Sequence, residues 1–171
     1  DRVDKVVPLI SKSSNTQNKV SAADFFSNHP FHKRIEDFSR RILAPAKEGS
    51  AMETKWFYER ARGQYANTQA KMTPALKKKF LIQNPRPQMF TKTDLAKFEN
   101  SFNQMPHFVS KGAQWNFGKF AEEISGKDDQ NKGLWEKNDL QFNELWFKKL
   151  VAEAIVFKFL EKNMMKQVWY G

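Results

Sequence analysis

Phe31, Ile35, Phe38 and Ile42 recur at i, i+4, i+7 and i+11, an apolar stripe that predicts an amphipathic helix. Asn28 is its candidate N-cap, and Pro30 falls in the first turn, where a missing N–H costs nothing. Ahead of it Ser21 would cap a shorter helix, with Asp24 at the third helical position completing a capping box. A run of amide and hydroxyl side chains, Ser13, Ser14, Asn15, Thr16, Gln17 and Asn18, leads into this pair of helices. Val6, Val7, Leu9 and Ile10 predict a short strand over 3–10, and Pro8, which lacks a ladder donor, places it at an edge.

Further along, alternation sets Trp56 and Tyr58 on one face and Phe57 and Glu59 on the other, which predicts a strand within 53–65; the residues after it would also suit a helix. Thr73 and Pro74 are a cap and first-turn pair, and the prolines of Asn84-Pro85-Arg86-Pro87 make an extended connector. Thr91 or Thr93 would cap a helix with Leu95, Phe98 and Phe102 on one face. Pro106 separates this from a helix capped by Ser110 that turns Phe117, Phe120, Ala121 and Ile124 inward. The segment 125–133 has the most loop-like composition and is the expected site of mobility. The last helix, 139–163 with Asn138 as cap, is apolar nearly all round, so burial on most sides is expected. Lys158 interrupts that surface and would have to snorkel or pair.

These elements predict a mainly helical α+β fold, with amphipathic helices around a long buried C-terminal helix and a few short strands. At 171 residues the chain suits one module over 1–171. With 16 Phe and 5 Trp, flat rings rather than branched aliphatics must fill its interior. Cysteine is absent, which excludes disulfides and thiolate metal sites and permits a reducing compartment. No apolar run reaches the ~18 residues of a membrane span, so a soluble protein is expected. Asp1 and the apolar end at Val168, Trp169 and Tyr170 read as cuts, which predicts a fragment of a longer protein.

Charge changes the picture. The formal net charge is +10, and residues 55–92 hold nine basic residues against the single acid Glu59. Such an excess attracts a polyanion, most plausibly nucleic acid, or else forms a solvated face or meets an acidic protein partner. Arg60, Arg62, Lys77, Lys78, Lys79, Arg86 and Lys92 are the candidate contacts. Glu59 to Tyr65 combines two arginines, a glycine and an aromatic, the ingredients for phosphate contact with stacking. The structural alternative has Glu59 pairing with one arginine inside the fold while Gly63 makes a turn. Lys77 to Lys79 fan around their helix, so one or two at most would reach the same backbone. Asn15, Gln17 and Asn18 form a possible polar site, since amides can pair with adenine; the charge map favours a role in bracing the strand-to-helix junction.

Catalytic signals are weak. His29 and His32 lie near a helix start with Asp24 in reach, but no third ligand is marked, and backbone-satisfied histidines are expected; His107 carries no distinguishing signal. Glu53-Thr54-Lys55 has the acid-x-Lys spacing of Mg²⁺-dependent nucleases, whose second carboxylate comes from an upstream strand. Here the upstream acids Glu36 and Asp37 fall on a predicted helix. Phosphate-cradling glycine loops are not signalled. The expectation is a non-catalytic chain with neither cofactor nor metal.

Several blocks in one order carry a resemblance: Asn15-Thr16-Gln17-Asn18-Lys19-Val20, Asp24 to Asn28, Pro30-Phe31-His32, Trp56 to Tyr65, Thr91 to Lys97, and Val109 to Gln114. Over about 10–114 the sequence resembles the abortive infection phage resistance (AIPR) family, with the C-terminal part fitting more loosely. The resemblance implies a bacterial cytoplasmic protein of phage defence, longer than this chain, whose nuclease-like portion, where present, lies upstream. It assigns no catalytic residue here. The expected partners are nucleic acid and the rest of the parent chain. Rival readings are a protein-interaction or oligomerisation module, with contacts near Met164, Met165 and Trp169, and a Mg²⁺-dependent nuclease using Glu53 and Lys55.

Overall fold

The computed structural model describes residues 26–45, 52–128, 130–164 and 166. The predicted strand over 3–10, the Ser21-capped helix, the amides Asn15, Gln17 and Asn18, and Met165 and Trp169 lie outside the described residues. What is described is a mainly helical α+β fold. Helix α1 (Pro30–Arg41) is followed by β1 (Phe57–Glu59), α2 (Gln64–Ala70) and α3 (Pro74–Gln83). Strand β2 (Met89–Thr91) leads directly into α4 (Lys92–Phe102), and α5 (Pro106–Ser110), α6 (Ala113–Ser125) and α7 (Leu134–Lys137) follow. Helix α8 (Glu144–Met164) is the last described element.

Local chemistry explains most starts. Thr73 Oγ1 accepts from Leu76 N, and Thr91 forms a reciprocal capping box with Asp94. At α1 the cap is His29 rather than Asn28: Nδ1 accepts from Phe31 N at 3.2 Å, with Pro30 at the first helical position. Ser110 does not cap α6; its hydroxyl donates to His107 O within α5, and Gly112 holds the junction at φ +102°. The long helix begins later than expected because 139–141 form a 3-10 turn, and Asn143 Oδ1 then accepts from Leu145 N and Trp146 N.

Strands β1 and β2 pair in parallel, with Phe57 opposite Met89 and Tyr58 opposite Phe90. The predicted alternation is realised. Trp56 and Tyr58 enter the main core with Phe90, while Phe57 packs on the other face against Tyr65 and Phe80, with ring centroids 5.0 and 5.8 Å away.

The main core joins Phe31, Ile35 and Phe38 of α1 to Leu95 and Phe98 of α4, Phe117, Phe120 and Ile124 of α6, and Phe147, Leu150 and Ala154 of α8. Its centre is α4, which packs on both α6 and α8. Helix α8 is therefore not the buried axis expected from its all-round apolar surface. It buries one stripe, Phe147, Leu150, Glu153 and Ala154, and leaves Leu145, Ile155, Val156, Phe159 and Leu160 exposed. Periodicity counts apolar positions; it does not supply a second neighbour to cover them. Lys158 does pair: its Nζ donates to Pro87 O at 3.0 Å and to Met89 O, pinning α8 to the start of β2.

Candidate nucleic-acid interface

Positive charges in this fold divide into those consumed by internal contacts and those left to solvent. Glu36, on α1, is the hub of the first group. Its carboxylate accepts from Arg60 Nε at 2.6 Å, from Arg40 Nη2 at 3.5 Å and from the Gln64 amide. Arg60 also donates to Ser27 O at 3.1 Å and Asn28 Oδ1 at 2.9 Å, and Arg40 donates to Tyr58 O while stacking 3.6 Å above the Phe57 ring. Burial pulls the Arg40 pKa down while Glu36 opposes it. Arg34 binds Asp139 and covers Trp135, and Arg41 bridges Asp37 and Glu144.

Glu59 works within the turn. Its two carboxylate oxygens accept from Gly63 N and Tyr65 N at 2.9 and 3.0 Å, and Gly63 takes φ +78° to start α2. The structural alternative for this stretch is thus met in modified form: the acid that holds an arginine is Glu36, and Glu59 holds the backbone.

The second group is Arg62, Lys71, Lys77, Lys78, Lys79 and Arg86, all exposed. Among the described residues none of these six side chains makes an ion pair or a hydrogen bond. The three lysines sit on α3, which buries no residue at all; its Phe80 ring lies 5.3 Å from Tyr65 and 5.8 Å from Phe57, and at its end Gln83 O accepts from Lys55 N at 2.7 Å. Of the seven candidate contacts, Arg62, Lys77, Lys78, Lys79 and Arg86 face solvent. Arg60 is engaged, and Lys92 is half-buried with its ammonium 5.7 Å from the Phe117 ring. A further basic feature escaped the sequence reading: Lys119, Lys127, Lys132 and Lys137 line an open cleft of about 740 Å³ between α6 and the following loop, with Glu122 and Glu123 among its walls. Only the fold brings these scattered lysines together.

The histidines and carboxylates serve the interior. His32 is buried; the Tyr58 hydroxyl, whose own pKa burial raises well above its usual value, shares a 2.6 Å hydrogen bond with its Nδ1. Burial, then the charges of His29, Lys92 and Arg60, depress the His32 pKa to about 3. Its Nε2 finds no hydrogen-bond partner among the described residues. Burial lowers the His29 pKa as well.

Glu99 of α4 and Glu153 of α8 meet beneath Lys149, whose Nζ lies 2.9 Å from Glu153 and 3.8 Å from Glu99. Burial, then the neighbouring Glu153, holds Glu99 well above the usual carboxylate range. The signal for Glu99 was present in the sequence, since it stands four residues after Leu95 on the apolar face of α4.

Glu53 is exposed and Lys55 half-buried, and the upstream acid Glu36 is committed to Arg60 and Arg40 on a helix. Among the described residues no group of three or more His, Asp or Glu side chains is arranged to hold a metal ion. Nor is any described helix long and apolar enough to cross a membrane.

A family model described as AIPR protein matches residues 1–170 of the chain. No curated protein and no solved structure matches it.

Proposed function

This chain belongs to the AIPR family, and from that premise we propose that it serves phage defence as a non-catalytic module that binds nucleic acid. The contact surface is the exposed cation set Arg62, Lys71, Lys77, Lys78, Lys79 and Arg86, working for an activity located elsewhere in the parent protein. One observation carries the reading: α3 buries nothing and presents three lysines without an acidic partner among the described residues. A helix kept only to cover a core would turn an apolar stripe inward, and α3 contributes Phe80 alone. Cations without internal partners cost little desolvation to bring against phosphate, and each contact releases condensed counterions.

The test is a gel shift on DNA and on RNA across a salt series. Affinity should fall steeply with salt, and removing Lys77, Lys78 and Lys79 together should flatten that slope by about 1–2 units, since one or two of them can reach one backbone. Absence of binding at low salt, or a slope indifferent to the triple substitution, overturns the proposal.

A further inference from the structure

Helix α8 turns its two sides to different tasks. One side, Phe147, Leu150 and Ala154, is core. The opposite side carries Leu145, Ala152, Ile155, Val156, Phe159 and Leu160, and all six are exposed, Leu145 to 75% and Phe159 to 66%. Leu145, Ala152 and Phe159 are spaced by seven, with Ile155 and Val156 between, which is the seam of a helix prepared for a helical neighbour.

We propose that this face closes against the same face of a second copy, as an antiparallel α8–α8 pair centred on Ala152. The register follows from the spacing. In a two-fold pair residue i meets j and j meets i. With Ala152 on the axis, Leu145 of each copy lies against Phe159 of the other, a large residue filling the space beside a small one. Alanine at the crossing permits the ~8–10 Å interaxial distance of close helix packing.

Lys148 and Lys149 then lie over Val156 and Ile155 of the second copy and cover them with their stems. The Lys149 charge does not oppose this, since it is already held by Glu153 and Glu99. The five large side chains expose roughly 600 Å² before those stems are added, against the ~800 Å² per partner of a standard interface. Area therefore suits a second copy, and the pairing needs no partner of different chemistry.

Charge sets a signature that separates this association from nucleic-acid binding. Each copy carries a formal +10, so two copies repel at long range, and salt that screens the repulsion should tighten the pair. Nucleic-acid binding responds to salt in the opposite sense.

Sedimentation velocity across two decades of concentration tests the proposal. A monomer–dimer equilibrium that strengthens with salt is expected. Leu145→Glu and Phe159→Glu each act twice in a two-fold interface, so each should weaken association about a hundredfold, with helical circular dichroism unchanged because both positions are exposed. The chain has no cysteine of its own. Ala152→Cys should therefore form a disulfide-linked dimer under mild oxidation while Ile82→Cys on α3 should not. A monomer at every concentration, with the face covered from within the chain, overturns the proposal. So does a dimer that survives both Glu substitutions, or cross-linking of the Ile82→Cys variant equal to that of Ala152→Cys.

Discussion

Arg60 Nε donates to Glu36 Oε2 at 2.6 Å, and these two side chains, each about one-fifth exposed, tie the turn after β1 to helix α1. Two residues later Arg62 projects into solvent with no partner among the described residues. A pair of arginines that looks equivalent in the sequence is thus split between architecture and surface. Arg60→Ala should lower stability by about 2–3 kcal/mol, because it leaves a half-buried carboxylate short of its strongest donor. Arg62→Ala should leave stability within ~0.5 kcal/mol and act on nucleic-acid affinity instead. Urea unfolding beside the gel shift separates the two.

His32 sets the acid side of the stability profile. Its folded pKa of about 3 lies below the ordinary 6.5, so its contribution is fully present above pH 6.5 and is lost as pH falls through 3. The wild-type chain should take up one extra proton on unfolding across that window, losing ~3–5 kcal/mol from this group. His32→Gln should have a shallower acid limb by one proton, read from denaturant midpoints between pH 4 and 7.

Much of this was legible in the residues, and the failures share a cause. Thr73, Thr91 and the Trp56/Tyr58 alternation were readable because each depends on neighbours within a few positions. Asn28 is the better cap by residue preference, but Pro30 opens the helix itself, so the cap falls to the residue just before it, His29. Helix α8 misled in the other direction: its apolar circumference is real, but burial depends on how many elements arrive. Arg60 carries the charge of a contact residue, and only the arrival of Glu36, 24 positions earlier, removes it from the surface. The Lys119, Lys127, Lys132 and Lys137 cleft likewise exists only once α6 and its loop are folded.

Glu99 governs the alkaline side. Its folded pKa is raised above the ordinary 4.5, so the stability it contributes is fully present below that value and is lost as pH rises through the folded value. Ionising it places a second negative charge beside Glu153 under the single cation Lys149. Glu99→Gln keeps the shape and cannot ionise; it should gain stability relative to wild type at pH 9 and show little difference at pH 5. Paired unfolding curves at those two values check the sign.

Gly133 is required by space. A Cβ there would stand 2.2 Å from Ile124 O and 2.3 Å from Gly126 N, and Gly126 itself holds φ +81° in the same loop. Gly133→Ala must push backbone apart and should cost about 2–3 kcal/mol. It should also open the 126–132 bridge, which tryptic cleavage at Lys127 or Lys132 would report as a rate increase over wild type.

The parallel pairing of β1 with β2 places α2 and α3 inside one crossover, held at Glu59 on one end and at Met89 on the other. The lysine-bearing helix is therefore a strap with both ends fastened; Phe80 rests on the fold beneath it, and its C-terminal end is held by Lys55 N on Gln83 O and the Tyr65 hydroxyl on Asn84 O. Much of the ordering entropy of a phosphate contact is spent when the chain folds, not when the partner arrives. Lys158, bridging β2 to α8, holds the chain just beyond the basic helix without touching the helix itself.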